Sequence, residues 1–189
     1  MYMQILDWNE FIGGVLKNHS VSLTVGVFDG VHRGHQALIR ETCSLSAYPV
    51  IVTFRKNPLK ILDPGNFSGN ICSLEEKLEI FNDLGVKFVV LIDFSKKFSK
   101  IKGIDFINLL IKSCKIKHFV LGQNFRCGFM LDTGFEDLLK TDVPVRVVKA
   151  VFEGGQAISS SRIRNAICCG NLKEAALLLG RTPEIELLK

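Results

Sequence analysis

The stretch Gly26-Val27-Phe28-Asp29-Gly30-Val31-His32-Arg33-Gly34-His35 separates a β-branched run from an apolar-periodic segment that begins at Gln36. A turn that joins a strand directly to a helix favours phosphate binding, because the first N–H groups of the helix lack partners and its dipole is positive there. Gly34 removes a side chain where a ligand comes close to the backbone. His32 and His35, three residues apart, add two imidazoles over the same place. The stretch therefore predicts an anion-binding turn between a strand and a helix.

Apolar runs and helical periods alternate along the rest of the chain. The strand-like runs cover residues 21–28, 49–54, 88–93, 118–121 and 145–152. The helical periods cover residues 35–46, 74–84, 104–114, 135–139, 160–169 and 172–179, after a short strand and a helix within residues 2–16. Runs that are apolar on both faces predict a parallel sheet with helices on both sides, a doubly wound, Rossmann-like α/β fold. In such a sheet, ligands bind beyond the carboxyl ends of the strands, where residues 26–35 fall.

Local signals refine this pattern. Ser73 and Glu76 form a capping-box pattern that predicts a helix start, and Gly85 has the position of a helix C-cap glycine. Residues 54–70 are rich in proline, glycine and asparagine and have no clear period, so they predict a mobile flap beside the site. An ordinary surface loop is the alternative for this segment.

Length and composition limit the class of protein. The chain has 189 residues, a formal charge of +5 and 47% hydrophobic residues. This mild positive charge suits nucleotide phosphates but lacks the basic stripe of a nucleic-acid-binding protein. No apolar run approaches the ~18 residues of a membrane span, and residues 1–10 lack a signal-peptide pattern. We therefore expect one domain at 1–189 that binds neither nucleic acid nor a membrane.

The six cysteines show no CxxC pair and no metal-ligand spacing, which indicates reduced thiols. Adjacent Cys168 and Cys169 fall within a helical period and are interpreted as small apolar core residues. The expected compartment is therefore the cytoplasm.

A second polar element lies about 120 residues after the first. The segment Ser159-Ser160-Ser161-Arg162-Ile163-Arg164 begins a predicted helix, and one serine suffices to cap it. The core-facing positions of this helix are Ile163, Ala166 and Ile167. Ser161 and Arg164 lie three apart on another face. We therefore predict that Arg164, and not Arg162, contacts phosphate, whose oxygens match the guanidinium fork.

The two elements together resemble the nucleotidylyltransferase superfamily. Its first motif, HxGH, corresponds to His32-Arg33-Gly34-His35 here, and its second is a Ser/Thr-rich helix start followed by an arginine. The resemblance implies that the histidines hold the triphosphate of ATP while a nucleophilic phosphate attacks the α-phosphorus. It also implies Mg²⁺ bridging the substrate phosphates, held largely by substrate oxygens and water.

Further motifs, in order over residues 23–183, resemble the FMN adenylyltransferase module of bacterial FAD synthetases. They are Val52-Thr53-Phe54-Arg55-Lys56-Asn57-Pro58, Leu121-Gly122-Gln123-Asn124-Phe125-Arg126-Cys127-Gly128, Gly170-Asn171-Leu172 and Leu178-Leu179-Gly180-Arg181-Thr182-Pro183. The resemblance implies that FMN and ATP are converted to FAD and diphosphate. In that family a riboflavin kinase domain follows such a module, whereas this chain ends six residues after Pro183. We therefore expect no riboflavin kinase activity, with a truncated chain as the alternative.

The resemblance also implies roles for individual residues. The expected catalytic residues are His32, His35 and Arg164. ATP binding is expected at Gly26, Phe28, Asp29, Gly34, Ser159, Ser160, Ser161 and Arg164. FMN binding is expected at Asn57, Asn124 and Arg126. Asn57 stands where the family usually has histidine, and Arg55 and Lys56 replace an acidic residue and a proline, so this contact with FMN is expected to differ.

Three alternatives remain open. A zinc site at His32 and His35 would have only Asp29 as a further ligand nearby. A different phosphate acceptor, as in the pantetheine-phosphate, nicotinamide-mononucleotide or cytidylyl branches of the superfamily, would keep the fold. A flavin- or nucleotide-binding module without turnover would explain the departure at residues 55–57.

Overall fold

A six-stranded parallel sheet forms the centre of the molecule, and the computed structural model describes residues 2–183. The strands of the sheet are β1 Gln4–Asp7, β2 Ser20–Val25, β3 Pro49–Phe54, β4 Phe88–Ile92, β5 Lys115–Gly122 and β8 Val145–Val148. Their order is β1-β4-β3-β2-β5-β8, and each neighbouring pair is parallel. Two antiparallel pairs lie outside it, β6 Arg126–Cys127 with β7 Thr133–Gly134 and β9 Phe152–Glu153 with β10 Gln156–Ala157.

Helices cover both faces of the sheet. They are α1 Trp8–Ile12, α2 Arg33–Ser44, α3 Leu59–Leu62, α4 Leu74–Asp83, α5 Gly103–Ser113, α6 Phe135–Leu138, α7 Ser160–Cys168 and α8 Leu172–Leu179. Val50 and Val52 of β3 belong to the core cluster that includes α1 and α5, whereas Ile51 belongs to the cluster that includes α2 and α4. This division confirms the doubly wound, Rossmann-like α/β fold. No helix within residues 2–183 is long and apolar enough to span a membrane.

Helices α7 and α8 pack against each other beside the turn that follows β2. Their buried side chains form a separate cluster with Ile71 and Ile158. Gln36 of α2 donates a hydrogen bond through Nε2 to the Leu179 carbonyl at 2.9 Å. The last two helices are therefore attached to the first long helix.

The helix after the turn begins earlier than its apolar period indicates. α2 starts at Arg33, and His32 is its N-cap. The period starts only at the first core-facing residue, because a polar first turn carries no periodic signal. Both histidines consequently belong to the beginning of the helix.

The apolar run at residues 145–152 is not one strand, so this prediction is wrong. β8 ends at Val148, and Phe152 pairs with Ala157 in a hairpin. The two-residue turn consists of Gly154 and Gly155, whose φ angles are 59° and 76°. A hairpin turn of this kind requires positive φ at both positions, which glycine adopts without steric cost.

The predicted ends of the helix α4 are confirmed. Ser73 Oγ accepts a hydrogen bond from the Glu76 N–H at 3.0 Å, and Gly85 follows the helix with a φ of 89°. Residues 54–70 are not wholly irregular, because they contain α3.

The interpretation of Cys168 and Cys169 as core residues is wrong. Both thiols are exposed at the end of α7. The buried face of this helix is occupied by Ile163, Ala166 and Ile167, and the cysteines fall outside that face.

Candidate active site

The turn at residues 26–35 lies where the winding of the sheet reverses direction. After β2 the chain continues to β3 and β4 on one side, and then returns to β5 on the other side of β2. A cleft forms at such a reversal because the connections from the neighbouring strands leave in opposite directions. The turn therefore has the position in which α/β proteins bind ligands.

The backbone of this turn adopts left-handed conformations. The φ angles are 51° at Phe28, 76° at Gly30 and 38° at Val31. Such angles are costly for residues with a side chain, and most of all for a β-branched one. The buried Phe28 ring meets the edge of Phe81 on α4, with ring centroids 5.7 Å apart. This packing helps to offset the backbone cost.

Side chains from several elements hold the carbonyl groups of the turn. The Val27 carbonyl accepts two hydrogen bonds, from Lys77 Nζ at 2.9 Å and from Thr53 Oγ1 at 3.2 Å. The Asp29 carbonyl accepts one from Ser160 Oγ at 3.0 Å, and the Gly30 carbonyl accepts one from Arg181 Nη1 at 2.8 Å. The Val31 carbonyl accepts one from Gln36 Nε2 at 3.0 Å. A buried carbonyl without a partner costs about 1–3 kcal/mol. These bonds therefore replace the ladder bonds that a strand or helix would supply.

The two histidines form a stacked, neutral pair. His32 Nδ1 accepts a hydrogen bond from the His35 N–H at 3.3 Å, so the ring proton of neutral His32 is on Nε2. The ring centroids are 3.6 Å apart. Burial lowers the pKa of His32 to about 4, and burial, with His32 and Lys77 nearby, lowers the pKa of His35 well below its ordinary value. Near neutral pH the pair therefore offers N–H donors without a charge.

Gly34 lies between the histidines in the first turn of α2. A Cβ atom at this position would lie 3.1 Å from Cε1 and 3.2 Å from Nδ1 of His32. A side chain here would press against the ring of His32, so glycine leaves room for that ring in addition to the room for a ligand that the sequence predicts.

The three serines of the second motif have different environments. Ser159 caps α7 by accepting a hydrogen bond from the Arg162 N–H at 3.3 Å. The Ser160 hydroxyl donates to the Asp29 carbonyl. Ser161 is exposed. Two serines thus stabilise the helix start and its attachment to the turn, and the third is exposed to solvent.

Asp29 and Arg164 join the first motif to the second. Their side chains form an ion pair and are only 7% and 15% exposed. Asp29 also accepts a hydrogen bond from the Ile71 N–H at 2.9 Å, and Arg164 Nε donates to the Gly69 carbonyl at 3.3 Å. Arg164 neutralises the Asp29 carboxylate, whose charge would otherwise disfavour an anion at the turn.

Arg162 uses its guanidinium within the protein. Nε and Nη2 donate to Glu174 Oε1 at 3.1 and 2.8 Å, and Nη1 donates to the carbonyls of Glu153 and Gln156 at 2.9 and 3.2 Å. These bonds connect α7 to α8 and to the β9–β10 hairpin. Arg162 therefore stabilises the packing of these elements. The contact of Arg164 with phosphate stays a prediction.

An apolar cavity of about 530 Å³ opens beside the turn. Gly26 and Val27 form part of its wall. Its aromatic lining consists of Phe54, Phe94, Phe98, Phe106, Phe125 and Phe129. A cavity of this size with aromatic walls and few polar groups suits a planar aromatic ligand.

The residues predicted to bind FMN fall in two places. Asn124 and Arg126 line the cavity, and Arg126 Nη1 donates to the Leu131 carbonyl at 3.1 Å. Asn57 lies outside this lining, and its Oδ1 accepts a hydrogen bond from the Leu59 N–H at 3.1 Å. The structure therefore brings the first two together and uses Asn57 at the start of α3.

A zinc site at the histidines receives no support. Asp29, the further ligand that it would need, is bound to Arg164 and to the Ile71 N–H. Across the described part of the chain, no group of three or more His, Cys, Asp and Glu side chains could hold a metal ion.

Comparison with known proteins decides the family. Residues 15–162 match the family model described as FAD synthetase. This chain belongs to the FAD synthetase family. The bifunctional riboflavin kinase/FMN adenylyltransferase of Escherichia coli (strain K12) is 34% identical over 167 residues, which cover 84% of this chain and 53% of that protein. The chain thus spans about half the length of the curated relatives it matches, and the resemblance inferred from sequence is confirmed.

Solved structures support the fold of this FAD synthetase family member. A macrolide-efflux protein from Streptococcus pneumoniae is 31% identical with a TM-score of 0.80, and the match covers 96% of this chain and 72% of that chain. A pantoate-β-alanine ligase from Francisella tularensis is 15% identical with a TM-score of 0.59, covering 94% of this chain and 85% of that one. The latter similarity shows the fold alone.

Sequence reasoning missed two residues that hold the turn of this FAD synthetase family member. Lys77 interrupts the apolar face that Leu74, Leu78 and Phe81 form on α4. A charged residue on the apolar face of a helix indicates a side chain that is buried and has a specific polar partner. Arg181 belongs to a motif that carries the resemblance, but no local pattern indicates its contact with Gly30.

Proposed function

We propose that the chain is an FMN adenylyltransferase, which transfers AMP from ATP to FMN and gives FAD and diphosphate in the cytoplasm. The observation that carries the proposal is the aromatic cavity that opens beside the HxGH turn in a member of the FAD synthetase family. ATP at the turn and a flavin in the cavity would bring two phosphate groups together near Gly26. The name of the E. coli relative includes this activity and supports the assignment.

The reaction is an in-line displacement that needs no covalent intermediate with the enzyme. An oxygen of the FMN phosphate attacks the α-phosphorus, the bond from that phosphorus to the bridging oxygen breaks, and diphosphate leaves. Holding both reactants in this geometry is worth roughly 7–11 kcal/mol in favourable cases. The Nε2–H of His32 and the N-terminus of α2 would donate to phosphate oxygens as negative charge moves toward the leaving group.

Arg164, Ser161 and the histidines form the proposed triphosphate side of the site. A guanidinium carries five N–H donors, so Arg164 can keep Asp29 and still contact phosphate oxygens. The exposed Ser161 hydroxyl lies on the same helix start. These contacts explain why the second motif is attached to the turn.

Asn124 and Arg126 form the proposed polar part of the flavin side. Because the Asn57 side chain accepts a hydrogen bond from the Leu59 N–H, this segment is expected to meet the flavin through the apolar side chains of Pro58 and Leu62, which line the cavity. The altered sequence at residues 55–57 is thus compatible with a flavin site of mainly apolar contacts.

Mg²⁺ is expected to enter with ATP as part of the substrate. The donor set of the turn fits this arrangement, since its one carboxylate, that of Asp29, is paired with Arg164. Oxygens of the phosphates and water would then supply the ligands, as Mg²⁺ commonly requires. The histidines and Arg164 would act on the phosphates themselves.

The test is incubation of the purified chain with FMN, ATP and Mg²⁺, followed by chromatography of the flavins and assay of diphosphate. We expect FAD and diphosphate in equal amounts. Binding of FMN without release of diphosphate would identify a binding module instead.

A further inference from the structure

Lys77 is buried beneath the turn although its chemistry favours water. The residue is 8% exposed, and its ammonium group donates to the Val27 carbonyl at 2.9 Å. Burial lowers the pKa of Lys77 below its ordinary value. Keeping a charged group in such a place is costly unless another charge compensates for it.

Within residues 2–183 the charge of Lys77 is compensated only in part, because Asp29, which favours the charged ammonium group, forms its ion pair with Arg164. Arg164 forms an ion pair with Asp29, and Arg181 forms one with Glu76, with Nε and Oε1 2.6 Å apart. Among the ion pairs of these described residues, Lys77 takes part in none. Lys77, Arg164 and Arg181 thus stand against two carboxylates, those of Asp29 and Glu76, so the side chains that hold the turn carry a net positive charge.

The Val27 carbonyl does not depend on Lys77 for a hydrogen-bond partner. Thr53 Oγ1 donates to the same carbonyl of Val27 at 3.2 Å, so that oxygen would keep a partner without the lysine. A neutral apolar side chain would fit the apolar face of α4 without the cost of a buried charge. A structural task alone thus gives no reason for an ammonium group at this position.

We propose that Lys77 is a positioning residue of the adenylyl transfer, whose charge anchors the Val27 carbonyl and keeps a positive potential beneath His32 and His35 for the diphosphate part of ATP. The inference rests on the proposed function. An anion bound at the turn would supply the part of the compensating charge that the protein alone lacks.

The experiment compares Lys77→Met, which removes the charge, and Lys77→Gln, which keeps a neutral donor for the Val27 carbonyl. Lys112→Met is the control, because it removes one positive charge from an exposed position on α5. The measurements are the melting temperature, kcat and KM for ATP, and the Kd of inorganic diphosphate by titration calorimetry. We expect both Lys77 variants to fold, to lose about 10²-fold in kcat and to bind diphosphate more weakly.

A Lys77→Gln variant with the kinetic constants and diphosphate affinity of the control would overturn the proposal, as would failure of both Lys77 variants to fold. If the unmodified chain makes no FAD but its diphosphate affinity still depends on Lys77, the proposed function fails and the inference about the anion stands. If the unmodified chain makes FAD and neither the kinetic constants nor the diphosphate affinity depends on Lys77, only this inference fails.

Discussion

His32 is the N-cap of α2, a position usually occupied by serine, threonine, aspartate or asparagine. Its Nδ1 does the capping, and its Nε2–H remains for a ligand. Substitution by asparagine separates the two tasks, because the amide oxygen can cap the helix but the imidazole donor is lost.

We expect His32→Asn to lower turnover on the order of 10²–10³-fold while the melting temperature stays close to that of the unmodified chain. Steady-state rates and thermal melts on the same preparations check this. A large fall in melting temperature with near-normal turnover would show that the imidazole is structural.

The same residue predicts how stability depends on pH. Its pKa falls from 6.5 to about 4 on folding, because burial disfavours the charged ring. Between these values the unfolded chain binds a proton that the folded chain does not, so the stability present above the unfolded pKa is lost as the pH falls. The loss from this ring is about 2 kcal/mol between about pH 7 and pH 5.

Denaturant titrations at both pH values, on the unmodified chain and on His32→Asn, measure this contribution. The variant should lose less stability on acidification, because its amide does not titrate. Equal losses in both proteins would contradict a depressed pKa for His32.

At the scale of elements, α7 presents its two arginines to different surroundings. Arg162 connects α7 to α8 and to the β9–β10 hairpin, whereas Arg164 contacts the turn through its ion pair with Asp29.

We expect Arg164→Ala to raise KM for ATP or lower turnover, and Arg162→Ala chiefly to lower the free energy of unfolding, by about 1–3 kcal/mol. Kinetics with ATP varied and denaturant titration of both variants test the assignment. A stronger kinetic defect in Arg162→Ala would reverse it.

Local periods in the sequence predict most strands and long helices of the sheet, but not the break of the run at residues 145–152 or the short helix α3. Strands buried on both faces and helices with one apolar face each leave a signal within a few neighbouring residues, as at Ile51 and in α4. Contacts between residues that are distant in the sequence leave no such local signal. The capping-box pattern predicts that Glu76 bonds to its own helix start, yet Glu76 pairs with Arg181. Asn57 likewise has a local partner that its motif does not indicate.

At the scale of the whole molecule, the two halves of the proposed site come mainly from different segments and meet at Gly26 and Val27. The proposed triphosphate side consists of α2 and α7, and most of the cavity lining comes from segments after β3, β4 and β5. Changes in one half that lie away from Gly26 and Val27 should therefore leave binding in the other nearly unchanged.

Leu62 tests this separation, because it lines the cavity and is 57% exposed. We expect Leu62→Ser to raise the Kd of FMN about tenfold through lost apolar contact, with the affinity for ATP unchanged. Leu177→Ser is the control, since Leu177 is 52% exposed on α8 and outside the cavity lining. Quenching of flavin fluorescence gives the FMN affinity. An equal effect of both substitutions would place the flavin elsewhere.

For the proposed ATP site, the residues that hold the turn at Val27–Val31 also determine when during synthesis the chain could first bind a nucleotide. Gln36, Thr53 and Lys77 leave the ribosome early, but Ser160 and Arg181 follow only after the last strand of the sheet has been made. A chain folding from its N-terminus therefore has both histidines long before the backbone beneath them is fixed. Unfinished chains would leave cellular ATP free, and the ability to bind it would arise late, together with the closing of the fold.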